Sequence, residues 1–296
     1  MAAHRRATPR RVHLQTGRGR VKTWTVDSVG ARIAVYEYGD PLASSTVLLV
    51  HGYPDDHRFF EPMIRVLGQH VRIVAYDTRG GGATTLDDPD SLESYTLAHL
   101  TEDTFAVVDS IPHRSGPLHV FAHDWGSVQM WETMAAPRAA STFASFVSVS
   151  GPSLDHLREV SRARAVSPRQ WSSMATQLLR SWYIWSFHIP VLRRFVPSMM
   201  VSIGNEDAPE PERRNQQRGI ALYRANILRR LLSGPDPKCE VPTTVVVPLH
   251  DRFLSVDLAD GLERWIPDLQ VIEVDAEHWW PYTHPADAAE VVLSLQ

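Results

Sequence analysis

The chain has 296 residues, of which 43% are hydrophobic and 22% charged, and its formal net charge is −4. That is enough chain to bury one sizeable core with an insertion, and the balance of apolar and charged residues excludes a disordered or fibrous chain. The sole cysteine, Cys239, excludes an internal disulfide framework and fits a reducing compartment.

Charge is unevenly spread. Residues 1–22 carry Arg5, Arg6, Arg10, Arg11, Arg18, Arg20 and Lys22 and no acid, so the rest of the chain holds roughly eleven more acids than bases. A solvated, disordered tail is the expectation for this arm, and no nucleic-acid partner is expected. No apolar segment follows the arginines as it would in a secretory leader. No uncharged run of about twenty apolar residues is present either, so no transmembrane segment is expected and the location reads as cytoplasmic.

In chain order, "RIAVYEYGD" (32–40) alternates like a half-buried strand, and "STVLLVHGYP" (45–54) is a continuous apolar run closed by turn residues. "VRIVAYDTRGGG" (71–82) repeats that plan. "SYTLAHLTEDTFAVVDSI" (94–111) brings Leu97, Leu100, Phe105 and Val108 round at helical spacing. Strand "LHVFAH", helix "WGSVQMWETMAA" and strand "FASFVSVSG" follow. Buried strands alternating with helices predict parallel βαβ units, with function at the carboxyl ends of the strands. From Pro152 to about Lys238 the pattern is helical only, rich in Arg, Trp, Leu and Met. Alternation resumes in strand "VPTTVVVPLHD", helix "SVDLADGLERWI", strand "LQVIEVD" and helix "HPADAAEVVLSL". The expected organisation is therefore a tail at 1–22, an α/β core at 23–151 and 239–296, and a helical cap at 152–238 overhanging the strand ends.

Three predicted strand ends each deliver a polar residue: Asp124, Asp251 and His278. Singly, Asp124 reads as an N-cap for the helix beginning at Trp125, Asp251 as a turn acid, and His278 as a surface histidine. Together they stand in the order nucleophile, acid, histidine. The fourteen histidines are scattered, with no H-E-x-x-H pattern, and no metal is expected.

"HGYPDD" (51–56), "YDTRGGG" (76–82), "HDWGS" (123–127), "PLHDRFLS" (248–255) and "EHWWP" (277–281) resemble the epoxide hydrolase and haloalkane dehalogenase branch of the α/β-hydrolase superfamily. The similarity runs over roughly residues 23–296. "SFVSVSGPSLDH" and "SWYIWSFHIP" are similar to the epoxide-hydrolase module of bacterial proteins fused to a short-chain dehydrogenase, although no second domain is expected in a chain of this length.

The resemblance implies an α/β-hydrolase fold with a mostly parallel sheet, an inserted helical cap and no cofactor. It implies that Asp124 attacks carbon to form an alkyl ester, and that His278, oriented by Asp251, activates the water that hydrolyses it. The backbone N–H groups of Tyr53 and Trp125 would form the oxyanion hole. Tyr183, in "YIWSFHIP", and Tyr223, in "IALYRANI", match the two cap tyrosines that protonate an epoxide oxygen. His188 stands where that signature has glutamine, Glu277 where glycine is common, and Gly82 and Thr84 in a loop usually written Arg-Gly-x-Gly-x-Ser. His51, Pro54, Trp125, Trp185 and Trp279 are expected to line the substrate site, with His123, Asp55 and Asp56 supporting or lining it. Pro54 matches a turn proline that is often cis.

Dehalogenation is the enzymatic alternative. It normally uses an asparagine after His-Gly, where this chain has Tyr53; the first asparagine is Asn205, which leaves a halide clamp to Trp182 or Trp185 of the cap. A catalytically idle ligand-binding fold is the alternative from another class. The aromatic cap run "LLRSWYIWSFHIPVLRRFVPSMM" implies a hydrophobic, even lipid-like substrate, with room for peripheral membrane contact through Arg193 and Arg194. Oligomeric state is left open.

Overall fold

The computed structural model describes residues 12–15, 20–114, 116–165, 179, 181–199, 212–234 and 238–296. Ten strands among them form one sheet: β1 Val12–Gln15, β2 Arg20–Ser28, β3 Ala31–Tyr38, β4 Thr46–Val50, β5 Arg72–Tyr76, β6 Thr85–Leu86, β7 Leu118–His123, β8 Ser145–Val149, β9 Thr243–Pro248 and β10 Leu269–Val274. Their order is β1-β2-β3-β5-β4-β7-β8-β9-β10, with the short β6 on β3. From β5 to β10 all pairings along that order are parallel, while β1, β2 and β3 add antiparallel strands at one side.

The sheet divides the core in two. Leu48, Val50, Val74, Tyr76, Val120 and Ala122 face one layer, and Val47, Leu49, Ile73, Ala75 and Phe121 face the other. Both faces are apolar, which is why these strands read as unbroken runs rather than as alternation. Helices α2 Leu97–Ser110 and α3 Trp125–Met134 cover the first face. Helix α1 Glu61–Leu67 and the C-terminal helix α10 Pro285–Leu293 cover the second. Two short helices, α4 Ala139–Thr142 and α9 Trp280–Thr283, complete the core.

Between β8 and β9 the described residues are helical. This stretch contains α5 Leu154–Ala165, α6 Trp182–Ser186, α7 Arg213–Arg218 and α8 Ile220–Leu232. Tyr183, Phe187, Val196, Leu222, Tyr223 and Ile227 from this stretch form a third cluster with Tyr95, Leu97, Trp125 and Val128 of the core. The cap thus has apolar packing against the carboxyl end of the sheet.

Two expectations are corrected. The stretch read as a disordered tail enters the sheet at Val12–Gln15 and again from Arg20, and β1 pairs antiparallel with β2. The arginines masked a two-residue alternation of Val12 and Leu14, and that of Trp24 and Val26 further on; the rest of the arm lies outside the described residues. The helix expected at 255–266 is instead two 3-10 turns, Val256–Ala259 and Leu262–Arg264. Gly261 separates them at φ 80, a left-handed value that a continuous helix does not accommodate. Strand β10, at the sheet edge, is also more exposed than the other parallel strands.

One ion pair ties the loop after β5 to α2. Arg79, 1% exposed, meets Asp103 at 2.5 Å and also donates to the Ser94 and Val29 carbonyls. Removing one partner leaves a buried charge, so Asp103→Ala is expected to lower unfolding free energy by about 3–5 kcal/mol. Asp109→Ala, which breaks the exposed Arg138–Asp109 pair, should cost under about 1 kcal/mol. Urea denaturation of the two variants checks the contrast.

Candidate active site

Strand β7 ends at His123, and α3 begins at Trp125. Asp124 between them is held at φ 52, ψ −125, a conformation rare for a residue with a side chain. It makes no side-chain cap bond to α3, so the capping reading of Asp124 is corrected. Its Oδ1 accepts instead from the Tyr53 N–H, 2.7 Å away on the loop after β4. That approach requires Gly52, where a Cβ would run into the Asp124 side chain. Gly126 is needed for a similar reason, because a Cβ there would meet the Val50 and His51 carbonyl oxygens.

His278 follows β10 and Asp251 follows β9. The imidazole Nδ1 stands 2.8 Å from Asp251 Oδ2, and its Nε2 stands 3.6 Å from Asp124 Oδ2. Asp251 is fixed in turn, since its Oδ1 accepts from the Phe253 and Leu254 N–H groups at 2.8 and 3.1 Å. Burial alone would lower the His278 pKa. The adjacent charges of Asp251 and Asp124 outweigh it and push the value up to about 10. Burial likewise raises Asp251, and His278 with the two backbone donors brings it below the ordinary carboxylate range.

The cap completes the site. Tyr183 and Tyr223 are 9% and 5% exposed, with ring centroids 6.0 Å apart. Burial, followed by nearby charges including Asp124, raises both phenols far above their ordinary pKa, so they stay protonated. With Asp124 and His278 they line a cavity that encloses about 400 Å³, its mouth included. Tyr53, Pro54, Phe187, Pro197, Phe253 and Trp279 supply the remaining wall. The Tyr53–Pro54 bond is cis. A larger cavity of about 610 Å³ lies behind Asp251, between β8, β9 and α5. Neither Asp124 nor either cap tyrosine lines it, so these residues meet only in the smaller of the two cavities.

Other expected residues are placed as follows. Trp125 packs edge-on against Tyr223 with centroids 4.7 Å apart, and is not among the cavity walls. His51 is buried away from the cavity; its Nδ1 donates to the Gly52 carbonyl and its Nε2 accepts from Thr78 N–H, which braces the loop carrying Tyr53. Trp185 is 45% exposed and faces away from the site, because Tyr183 and Phe187 take the inward face of that turn. Of the residues expected to line the substrate site, His51, Trp125 and Trp185 do not line this cavity, while Pro54 and Trp279 do. Asp56 caps the 3-10 turn His57–Phe60 and pairs with Arg58. Asp55 is buried against the site, and burial with the charges of Asp124 and Asp56 pushes it up to about 8. His123 Nε2 donates to the His278 carbonyl at 2.9 Å, and burial, then His278, lowers its pKa to about 4. It is a neutral strut beneath the loop that carries His278.

Phe187, Pro197 and Phe253 were not foreseen. Phe187 had a signal, since it lies four residues after Tyr183 on the same helical face. Phe253 had none beyond its place two residues after Asp251. His119 and His123 share an H-x-x-x-H spacing, but on strand β7 that separates them by roughly 13 Å, and they bond separately to Ser145 and to His278. The cluster Asp56, His57 and Asp77 brings possible ligand atoms together outside the cavity, where Asp77 is already bonded by Tyr36, His57 and Ala83.

A fold of this kind, with a positive-φ residue at the turn from strand to helix, defines an α/β hydrolase. The alpha/beta hydrolase fold family model matches residues 45–285, and the chain belongs to that family. It is 34% identical over 285 residues to the "Probable oxidoreductase EphD" of Mycobacterium tuberculosis, covering 89% of this chain and 47% of that protein. The chain thus spans about half the length of the mycobacterial relatives it matches. It is 26% identical to the AB hydrolase superfamily protein YfhM of Bacillus subtilis, over 83% of this chain and 88% of the relative. Epoxide hydrolase VrEH1 from Vigna radiata shares its fold with TM-score 0.69 at 22% identity, over 93% and 97% of the two chains.

The His278 pKa gives a stability prediction. It is raised in the folded protein, so its contribution is fully present below about pH 6.5, the unfolded value, and is lost as pH rises through about 10. His278→Gln lacks that term. Denaturation midpoints of wild type and variant should therefore converge as pH climbs from 6.5 to 10, the wild type losing its advantage.

Proposed function

We propose that the chain hydrates an apolar epoxide to a vicinal diol through a covalent ester on Asp124, without a cofactor. The observation that carries this reading is the meeting of two buried, protonated phenols with a carboxylate and an imidazole in one apolar cavity. Support also comes from relatives named as epoxide hydrolases, such as epoxide hydrolase 3 of Xenopus tropicalis, 23% identical over 83% of this chain.

The Asp124 oxygen not held by Tyr53 attacks an epoxide carbon and breaks its bond to the ring oxygen. Tyr183 or Tyr223 gives that oxygen a proton, leaving a hydroxyl and a tyrosinate. The imidazolium of His278 returns a proton to the tyrosinate, directly or through solvent. Esterification removes the Asp124 charge, which is one of the causes holding His278 in its protonated form. The first step thereby prepares the base for the second. Neutral His278 takes a proton from water, and the hydroxide adds to the Asp124 carbonyl carbon. The resulting oxyanion sits on Tyr53 N–H, which already contacts that oxygen in the resting site, and on Trp125 N–H at the unpaired start of α3. Collapse expels the diol, whose departing oxygen takes the proton from His278 and leaves Asp124 as a carboxylic acid; transfer of that acid proton to the neutral imidazole restores the carboxylate–imidazolium pair.

Nothing favours the dehalogenase reading. The cap tryptophans needed for a halide clamp, Trp182 and Trp185, are each 45% exposed and absent from the cavity wall. The absence of a helix long and apolar enough to cross a membrane among the described residues is compatible with a cytoplasmic enzyme.

Assays against terminal, internal and long-chain epoxides beside haloalkanes, with diol and halide both measured, test the reading. Diol without halide is expected. Tyr183→Phe/Tyr223→Phe should reduce epoxide turnover at least a hundredfold, within the range of a lost general acid, while thermal unfolding stays cooperative. Turnover retained in the double variant would remove the tyrosines from the reaction.

A further inference from the structure

The cap segment 181–199 is apolar on both sides. Tyr183, Phe187 and Pro197 face the cavity. On the other side Trp182, Trp185, Ile189, Val191, Leu192 and Phe195 are exposed, Phe195 to 68% and Val191 to 65%. A wall that seals a cavity needs only one greasy face; six large exposed apolar side chains within one short segment mark an interaction surface.

The charges around it identify the partner. Neither 181–199 nor α8 contains an aspartate or glutamate, but they contribute Arg193, Arg194, Arg224, Arg229 and Arg230. Arg230 is taken up by Glu132 of α3 and Asp155 of α5. The first four pair with no acid among the described residues, and Arg193 stands near enough to Arg224 to depress its pKa, after burial. This cationic island sits on a chain whose net charge is negative. Two copies joined face to face through the patch would bring these islands together, which opposes a homodimer. Exposed Trp, Phe and Ile beside arginines suit a lipid surface, where indoles lie at headgroup depth and guanidinium groups meet phosphates.

We propose that this face docks the protein on an anionic bilayer, so that an apolar substrate reaches the cavity from the lipid phase. The docking stands without the epoxide reading. Only the delivery role rests on it, and vesicle binding is read without any substrate.

The test is sedimentation with large vesicles of phosphatidylglycerol and phosphatidylcholine, or of phosphatidylcholine alone, using the full chain. Wild type should sediment with the anionic vesicles, less so at high salt, and its tryptophan emission should be quenched by brominated lipid. Phe195→Ser and Arg193→Glu/Arg194→Glu should each weaken binding about tenfold or more, while turnover of a short, water-soluble epoxide is unchanged. Failure of wild type to bind anionic vesicles overturns the proposal. So does binding that both variants retain, or a wild-type dimer in analytical ultracentrifugation that Phe195→Ser dissociates. If vesicles bind as described but no epoxide is turned over, the docking stands and the epoxide reading fails.

Discussion

Asp124 holds φ 52 and ψ −125, a backbone state that costs a non-glycine residue on the order of 1–3 kcal/mol. The surrounding structure makes that state the available one. The Asp124 N–H donates to the Val149 carbonyl of the neighbouring strand, and its own carbonyl accepts from Val128 in the first turn of α3. Gly52 and Gly126 leave space where any side chain would push the turn apart. With the backbone pinned, the carboxylate projects beyond the sheet rather than back over the helix N-terminus. From there it meets Tyr53 N–H and His278 and shares one cavity with the cap tyrosines.

The electrostatics of the cavity follow from that placement. Burial raises both phenols and the fixed carboxylate adds to that rise, as it adds to the larger effect of Asp251 on the imidazole. It also contributes to keeping the buried Asp55 above its ordinary range. Low polarity in the wall, from Phe187, Phe253 and Trp279, makes each of these interactions stronger than it would be in water. The cap is fastened to the same region: Tyr53, whose N–H holds Asp124, donates through its hydroxyl to the Gln216 carbonyl of α7. Asn226 of α8 bonds the Leu97 N–H and Tyr95 carbonyl at the start of α2. The position of the cap and that of the backbone N–H holding Asp124 are thereby linked through one residue.

Much of this was legible in the sequence, for reasons that differ by element. Strands β4, β5, β7, β8 and β9 are buried on both faces or nearly so, and continuous apolar runs bounded by turn residues signal that directly. The three strand-end residues, Asp124, Asp251 and His278, were legible through their order as well as their types. The N-terminal hairpin was hidden because a strand that is partly exposed tolerates arginine and lysine between its apolar positions. Gly261 decided against a helix that composition favoured. The direction of a side chain was the hardest thing to read. Aspartate before a helix is a cap by default, and only the positive φ turns Asp124 away from that role. Trp185 and Tyr183 sit two residues apart in an aromatic run, so sequence alone gave no reason to send one outward and the other into the cavity. His51, in a turn motif beside the site, serves the loop's shape through Gly52 and Thr78.

The central claim is that Asp124 becomes covalently bonded to substrate carbon and that water then attacks its carbonyl. A single turnover in ¹⁸O-water, with enzyme in excess over epoxide, tests it most directly. The account predicts a first diol that carries unlabelled oxygen taken from the enzyme, and ¹⁸O in the Asp124 carboxylate of the tryptic peptide recovered afterwards. Direct appearance of ¹⁸O in the first diol, with an unlabelled Asp124, would contradict it.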